Sequence, residues 1–491
     1  MLAGRKPRCA GLRRGYKDGR PSGAEAPLCR PSGPIAMDLK TTWGEAAKAT
    51  GGLLLHGNPG APLRSFSTDS RAIAPGDAFW ALRGDRFDAH DFLVREPAQS
   101  AAGWIVRQGA RLPSKRPEQV LALEDTLKGL GSLARFHRDR FDIPVVAITG
   151  SNGKTTVKQM LAAILAESGP VCATKGNFNN EIGLPLTLFA LDPSHHAAVV
   201  EMGASRRGDI AALAAIARPT LGVLTNIGPA HLEFFGDEKT VFETKRELVE
   251  ALAADAPVAL FAEDPWLARL LPDLGARAIA FGWDAGRRVR ALAADAGKPG
   301  AAVLEIDGIP VRSARPMGRI HRIDAAAAAA AAVALGVPTQ RIEAGLESYS
   351  PAPLRFAQSR HASGAQLVVD AYNSNPASAS AGVDTFLELN PAGRRLVVLG
   401  DMLELGERSL ELHRAVLEGL AEKPLAALFL AGETMVRAAE EIEPGSLPYP
   451  VYHAREAGEL AGPIRALLGI DASVYFKASR LMRLEALAES L

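Results

Sequence analysis

The chain has 491 residues, 47% of them hydrophobic and 23% charged, with a formal net charge of +1. That composition is ordinary for a globular protein of roughly three domains, at about 100–200 residues each, and a charge so near zero gives no general field to attract nucleic acid. Cys9, Cys29 and Cys172 make no disulfide framework and suit a reducing compartment, while no 18-residue apolar run argues for stable membrane insertion.

Residues 1–36 are rich in Gly, Pro and Arg, lack an apolar period, and carry eight basic residues against Asp18 and Glu25, a net of +6. They read as a disordered arm, and a signal peptide would need a continuous apolar stretch that is missing. Three readings stand: an organelle-targeting arm, weak contact with an anionic surface, or an over-long gene start with Met37 as the natural initiator. The last is the expectation.

From Met37 a helical pattern at Trp43, Ala46 and Ala47 opens a small mixed module, placed at 37–116. Ser67-Thr68-Asp69-Ser70-Arg71 and the polar loop from Arg83 to His90 flank a strand at Ala78–Leu82. A second strand at Gly103–Val106 follows a helix expected near Asp91–Glu96. Loops mixing hydroxyls, arginines and glycines either suit a polar ligand the size of a nucleotide sugar or are plain surface.

Thr126–Arg140 reads as a helix feeding an apolar run, Val145-Val146-Ala147-Ile148, that ends in Thr149-Gly150-Ser151-Asn152-Gly153-Lys154-Thr155-Thr156. Phosphate chemistry needs that order. Gly150 and Gly153 allow a tight turn whose N–H groups face an anion, and the following helix adds free N–H groups and its dipole. Lys154 can reach phosphate oxygens, and the Thr155 hydroxyl can ligand Mg²⁺. Two residues separate Gly150 from Gly153, where the general phosphate-loop pattern has four.

After that helix, Lys175-Gly176-Asn177-Phe178-Asn179-Asn180-Glu181-Ile182-Gly183 holds too many asparagines and glycines for a helix interior or central strand, so it reads as a shaped loop. Buried strands at Ala197–Val200 and Leu221–Thr225 end at Glu201 and at Asn226 and His231. Functional side chains at the C-terminal ends of parallel strands are the signature of an open α/β site. Glu201 is a hard oxygen ligand suited to Mg²⁺, and His231 an unusual one. A helix cap and a loop histidine are the competing readings. The helix beyond Gly236 carries Lys239 and Lys245, and composition does not choose between them.

Strands at Pro257–Phe261, Ala278–Phe281 and Ala302–Ile306 precede a helix at Asp324–Leu335. Pro351-Ala352-Pro353 marks a break. Four more strands follow, at Gln366–Val369, Leu396–Leu399, Ala426–Leu430 and Ser473–Phe476. Three of them end in Asp370-Ala371-Tyr372-Asn373-Ser374-Asn375-Pro376, in Gly400-Asp401-Met402-Leu403-Glu404-Leu405-Gly406, and in Lys477-Ala478-Ser479-Arg480.

From Met37 to Glu485 the sequence resembles the Mur ligases, ATP-dependent amide-forming enzymes of peptidoglycan synthesis. The phosphate loop carries the family pattern. The stretches starting at Lys175, Asp370 and Gly400 match the branch that joins D-alanyl-D-alanine to UDP-N-acetylmuramoyl-tripeptide. The resemblance implies an α/β protein of three domains: a small N-terminal α/β domain (37–116) for the UDP substrate, a central P-loop parallel-sheet ATPase (117–350), and a C-terminal Rossmann-like domain (351–491). It implies ATP contacts from Gly150, Asn152, Gly153, Lys154, Thr155, Thr156, Arg355, Asp370 and Asn373. Substrate contacts are implied at Ser67, Asp69, Ser70, Arg71, Asn177, Asn180, Asn375, Lys477 and Arg480. It further implies one Mg²⁺ on Thr155 and a second on Glu201 and His231, with Lys245 carbamylated as an anionic ligand. Lys154, Lys245 and His231 then form the catalytic set, His231 as ligand and not as general base. A cytoplasmic monomer is expected.

The chain departs from the family at Gly318-Arg319-Ile320-His321-Arg322-Ile323-Asp324, where Ile320, His321 and Asp324 stand for histidine, asparagine and asparagine, and at Leu354, which replaces a glycine before Arg355. Ala478 replaces another glycine. None of these touches the phosphate or metal residues. A ligase adding a single amino acid, of the Mur or folylpolyglutamate type, and a non-catalytic precursor-binding protein are the alternatives. The first is distinguished by its amine substrate. Loss of Lys154, Glu201 or Lys245 would mark the second, and all three are present.

Overall fold

The computed structural model describes residues 38–84, 87–229, 232–284, 286–293, 298–443 and 445–491. The leader expected at 1–36 lies outside the described residues. Three large sheets follow one another along the chain, preceded by a two-stranded antiparallel pair of Thr41–Thr42 with Pro62–Leu63.

The first has five strands in the order Leu53–His56, Gln119–Leu123, Gly103–Arg107, Ala78–Trp80, Phe66–Ser67. Its helix, Trp43–Thr50, starts in a capping box formed by Thr42 and Glu45. The boundary set at 116 is corrected here: Gln119–Leu123 is fully buried and pairs parallel with Gly103–Arg107, so the first sheet closes only at Leu123. The helix expected near Asp91–Glu96 is instead a short 3₁₀ turn at Ala89–Phe92, held by Asp88 accepting from the His90 amide.

The central sheet has nine strands, parallel from Val171–Ala173 across to Val289–Ala291, with an antiparallel pair at the far edge. Val145–Thr149 lies between Ala197–Glu201 and Leu221–Leu224, all three fully buried. The connections diverge to either side of this strand, which opens a crevice beyond its carboxyl end. The phosphate-loop helix Lys154–Ala166 packs against the sheet beside Arg319–Ala334, whose residues Ala325 to Ala332 are all 0–1% exposed. That helix begins at Arg319, before the Asp324 expected from sequence. Methyl side chains let it be buried all round, between the sheet and a neighbouring helix.

The third sheet has six strands, Ala357–Arg360, Gln366–Val369, Ala472–Lys477, Arg394–Gly400, Ala427–Ala431 and Val451–Ala454 in spatial order. The two edge strands were not foreseen, because their largely exposed residues carry no apolar run. Among the described residues no helix is long and apolar enough to cross a membrane.

Candidate active site

The phosphate loop leaves its strand at Gly150, with φ +144°, and enters its helix at Gly153, with φ +81°. Both need glycine. A Cβ on Gly150 would lie 2.0 Å from Thr225 Oγ1, and one on Gly153 would lie 2.3 Å from Asp324 Oδ1. Loop-to-loop bonds fix the turn: Asn152 N donates to Asn226 Oδ1 at 2.9 Å, Thr225 Oγ1 to Asn152 O at 2.5 Å, and Ser151 Oγ to Gly228 O at 3.1 Å. Lys154 Nζ donates to the carbonyls of Gly150 and Ser151 at 2.8 and 3.2 Å, so it lies over the loop.

Glu201, at the end of the adjacent strand, is 2% exposed. Its Oε2 accepts from Thr155 Oγ1 at 3.0 Å and from Lys158 Nζ at 3.3 Å, and its Oε1 accepts from Asn179 Nδ2 at 2.9 Å. Burial works to raise this carboxyl, but Lys158, Lys154 and the Asn179 and Thr155 hydrogen bonds outweigh it and hold the group below the usual carboxylate range. It stays ionised.

The C-terminal domain is closed over this surface. Arg355 Nη2 donates to Thr155 Oγ1 at 3.3 Å while its guanidinium stacks 4.1 Å above the Tyr372 ring. Asn375 Nδ2 donates to Asn152 Oδ1 at 2.8 Å. Lys477 Nζ, buried, binds Asp370 Oδ2 and Asn373 O, both at 2.9 Å, and Tyr475 donates to the same Asp370 oxygen. Between the two domains is a cavity of about 520 Å³ with the loop at one end and Phe261, Trp283, Ile320 and Phe356 among its walls. Phe261 ends the strand two places from the phosphate-loop strand, and Trp283 follows the strand three places away. At about 4.8 Å per strand, that separation is roughly 10–14 Å. An anion-binding end and an aromatic end so spaced suit a nucleoside triphosphate.

Three of the departures, Ile320, His321 and Asp324, line this cavity. His321 meets Phe356 edge-on at 4.8 Å, and burial pushes its pKa down to about 4. Burial also holds the Asp324 carboxyl well above its ordinary value, with Asp370 adding to the effect and Arg355 opposing it.

Of the residues singled out in the sequence, Asn152, Gly153, Lys154, Thr155, Thr156, Glu201, Arg355, Asp370, Asn373, Asn375 and Lys477 line the one cavity, and Gly150 shapes its loop. Lys245 lies outside the lining residues, buried on the helix Glu238–Ala251 with its ammonium 5.8 Å from the Phe235 ring centre. Burial first, and the charge of Lys154 second, bring its pKa down to about 7. Others are engaged locally. Asn180 Oδ1 caps the helix Gly183–Leu188 through the Ile182 and Gly183 amides, and Asn177 is exposed. Arg480 pairs with Glu485. Ser67 bonds within its own loop, Ser70 lies beside it, and Arg71 pairs with Asp69 at 2.8 Å. His231 lies outside the described residues. Asn179 and Lys158, both on Glu201, were missed.

Among the described residues no three carboxylate, imidazole or thiolate groups gather as a metal cage. Mg²⁺ needs none, since it is held by one or two protein oxygens together with substrate phosphates and water. The paired hydroxyl and carboxylate of Thr155 and Glu201 fit that donor set.

Residues 148–333 match the family model for the Mur ligase middle domain, and residues 354–480 match the Mur ligase glutamate ligase domain. The chain is 30% identical to the UDP-N-acetylmuramoyl-tripeptide–D-alanyl-D-alanine ligase of Bacillus subtilis, over 87% of this chain and 93% of that one. It superposes on MurF from Acinetobacter baumannii with a TM-score of 0.83, 30% identity, and 92% and 98% coverage. It superposes on the MurF ligase from Thermotoga maritima in complex with ADP with a TM-score of 0.73, 30% identity, and 87% and 96% coverage.

Proposed function

The chain belongs to the Mur ligase family, and from that premise we propose that it joins D-alanyl-D-alanine to UDP-N-acetylmuramoyl-tripeptide at the expense of ATP. The observation that carries the reading is the cavity between the closed domains, in which Lys154, Thr155 and Glu201 face Arg355, Asp370 and Lys477.

The terminal carboxylate of the tripeptide attacks the γ-phosphorus of ATP in line. The bond to the bridging oxygen breaks, leaving ADP and an acyl phosphate. Lys154 and the N–H groups at the start of its helix offset the phosphate charge. The neutral amine of the dipeptide then adds to the acyl carbon. Phosphate leaves from the tetrahedral intermediate and takes the amine proton, and the amide remains. Arg355 and Asn375, reaching across from the C-terminal domain, hold the site closed and keep water from the acyl phosphate.

Thr155 would hold one Mg²⁺, and Glu201 with His231 and the Lys245 carbamate a second; the metal supplies the positive charge that lets a carboxylate approach a triphosphate. The UDP moiety is assigned to the first domain through Ser67, Asp69, Ser70 and Arg71. Lys245 is assigned as a carbamate, because lowering its pKa from 10.5 to about 7 leaves a substantial neutral fraction near neutral pH, the form nucleophilic toward CO₂. A ¹³C-bicarbonate NMR experiment should give a carbamate signal that Lys245→Met abolishes. Use of ATP and a UDP-linked precursor argues for the cytoplasm, and sedimentation should find a monomer.

The deciding experiment is phosphate release with ATP and Mg²⁺, comparing tripeptides ending in meso-diaminopimelate or L-lysine, with and without D-alanyl-D-alanine. Release that requires tripeptide and dipeptide together supports the reaction, and the preferred tripeptide names its third residue. Turnover only with a single amino acid as acceptor would move the assignment to a sister ligase.

A further inference from the structure

Lys158 stands one turn beyond Lys154 on the phosphate-loop helix, and the chemistry above gives it no task. Its ammonium lies 3.3 Å from Glu201 Oε2, and the two side chains are only 4% and 3% exposed. It also donates to Gly176 O at 3.4 Å. A buried ion pair of this kind is weak evidence for stability, since desolvating two charges cancels much of their attraction. Its position is more telling. The oxygen it holds is the one that Thr155 also contacts at 3.0 Å.

Charges here act on one another with little screening. Lys158 and Lys154 both lower the Glu201 carboxyl, and Arg355 reaches Thr155 from the other domain at 3.3 Å. A bare divalent cation arriving at Glu201 would therefore meet one carboxylate and three fixed cations. A polyphosphate reverses that balance by bringing several negative charges with it.

We propose that Lys158 is a positioning residue that orients Glu201 and makes divalent-cation binding there conditional on the nucleotide, so that metal and polyphosphate enter together. The inference rests on the nucleotide-site reading above. Its consequence is order: the protein alone holds the metal poorly, and removing one ammonium loosens the condition without adding a ligand.

The test uses the full chain and Mn²⁺ as probe, followed by water-proton relaxation with and without ADP. Lys158→Met should bind Mn²⁺ alone at least tenfold more tightly than the wild type, and the gain should vanish in the Lys158→Met, Glu201→Gln double variant. Lys158→Gln, neutral but still able to donate to Glu201, should behave as Lys158→Met and serves if the methionine variant does not fold. Lys158→Arg, which keeps the charge, should stay with the wild type. Equal Mn²⁺ affinities for the wild type and the neutral variants, with ADP-linked binding intact, would overturn the inference alone. Absence of ADP-linked Mn²⁺ binding in the wild type would overturn the nucleotide reading and the inference with it.

Discussion

Gly153 is the first helix-flanking position of the phosphate loop, and its φ of +81° and the 2.3 Å left before Asp324 allow it no side chain. Gly153→Ala should therefore cost about 1–2 kcal/mol in backbone conformation before the clash is counted. The expected outcome is at least a tenfold loss in kcat/KM for ATP, read by steady-state kinetics. His321 gives a pH signature. Its folded pKa of about 4 lies below the ordinary value of 6.5, first through burial and against the pull of Asp370, with Arg322 adding to the depression. Between those values the unfolded chain binds more protons, so stability is full above about 6.5 and falls as pH drops toward 4. His321→Gln should flatten that part of the melting-temperature profile relative to the wild type. At this scale the sequence was legible where the chemistry is contiguous: Gly150 to Thr156 share one turn, and the turn needs those residue types. Asn179 was not, because three asparagines within four positions are equivalent until the fold turns one toward Glu201, another toward a helix start and the third to solvent.

The alanine helix shows what an element requires of its neighbours. Residues Ala325 to Ala332 are shielded on every side, so the helix fits only while its side chains stay small. Ala328→Leu should destabilise by about 1–3 kcal/mol through overpacking, seen as a lower thermal midpoint. The helix Thr339–Ser348 approaches the phosphate-loop helix as closely: a Cβ on Gly345 would come within 2.2 Å of Ile164 Cα. Gly345→Ala should lower the midpoint and weaken ADP binding together, because the strain falls on the helix that carries Lys154. Elements with buried apolar runs, such as Val145–Thr149 and Ala197–Glu201, were readable from sequence. The edge strands Ala357–Arg360 and Val451–Ala454 were not, since their hydrogen-bonding partners, and not their side chains, make them strands.

Across the whole molecule the site exists only while two domains are docked. Arg322, 2% exposed on the alanine helix, pairs with Glu388 on the helix Pro376–Leu389, and Glu388 also accepts from the Arg319 amide at 2.6 Å. Glu388→Ala leaves that guanidinium with the Leu292 carbonyl but no counter-charge, and because Glu388 is partly exposed the loss should be about 1–3 kcal/mol. The expected outcome is a larger radius of gyration in small-angle scattering and weaker ADP binding. Unchanged values for both would show that docking does not depend on this bridge. By itself the sequence determined the phosphate loop, the α/β class and the family, because each rests on residues close together in the chain or on apolar runs that must be buried. Only the tertiary structure decided that the first sheet closes at Leu123, that Asn375 and Arg355 reach Asn152 and Thr155, and that Lys158 shares Glu201 with Thr155. Those contacts join residues tens to hundreds of positions apart. Their geometry is set by strand order and domain closure, which no local pattern of side chains encodes.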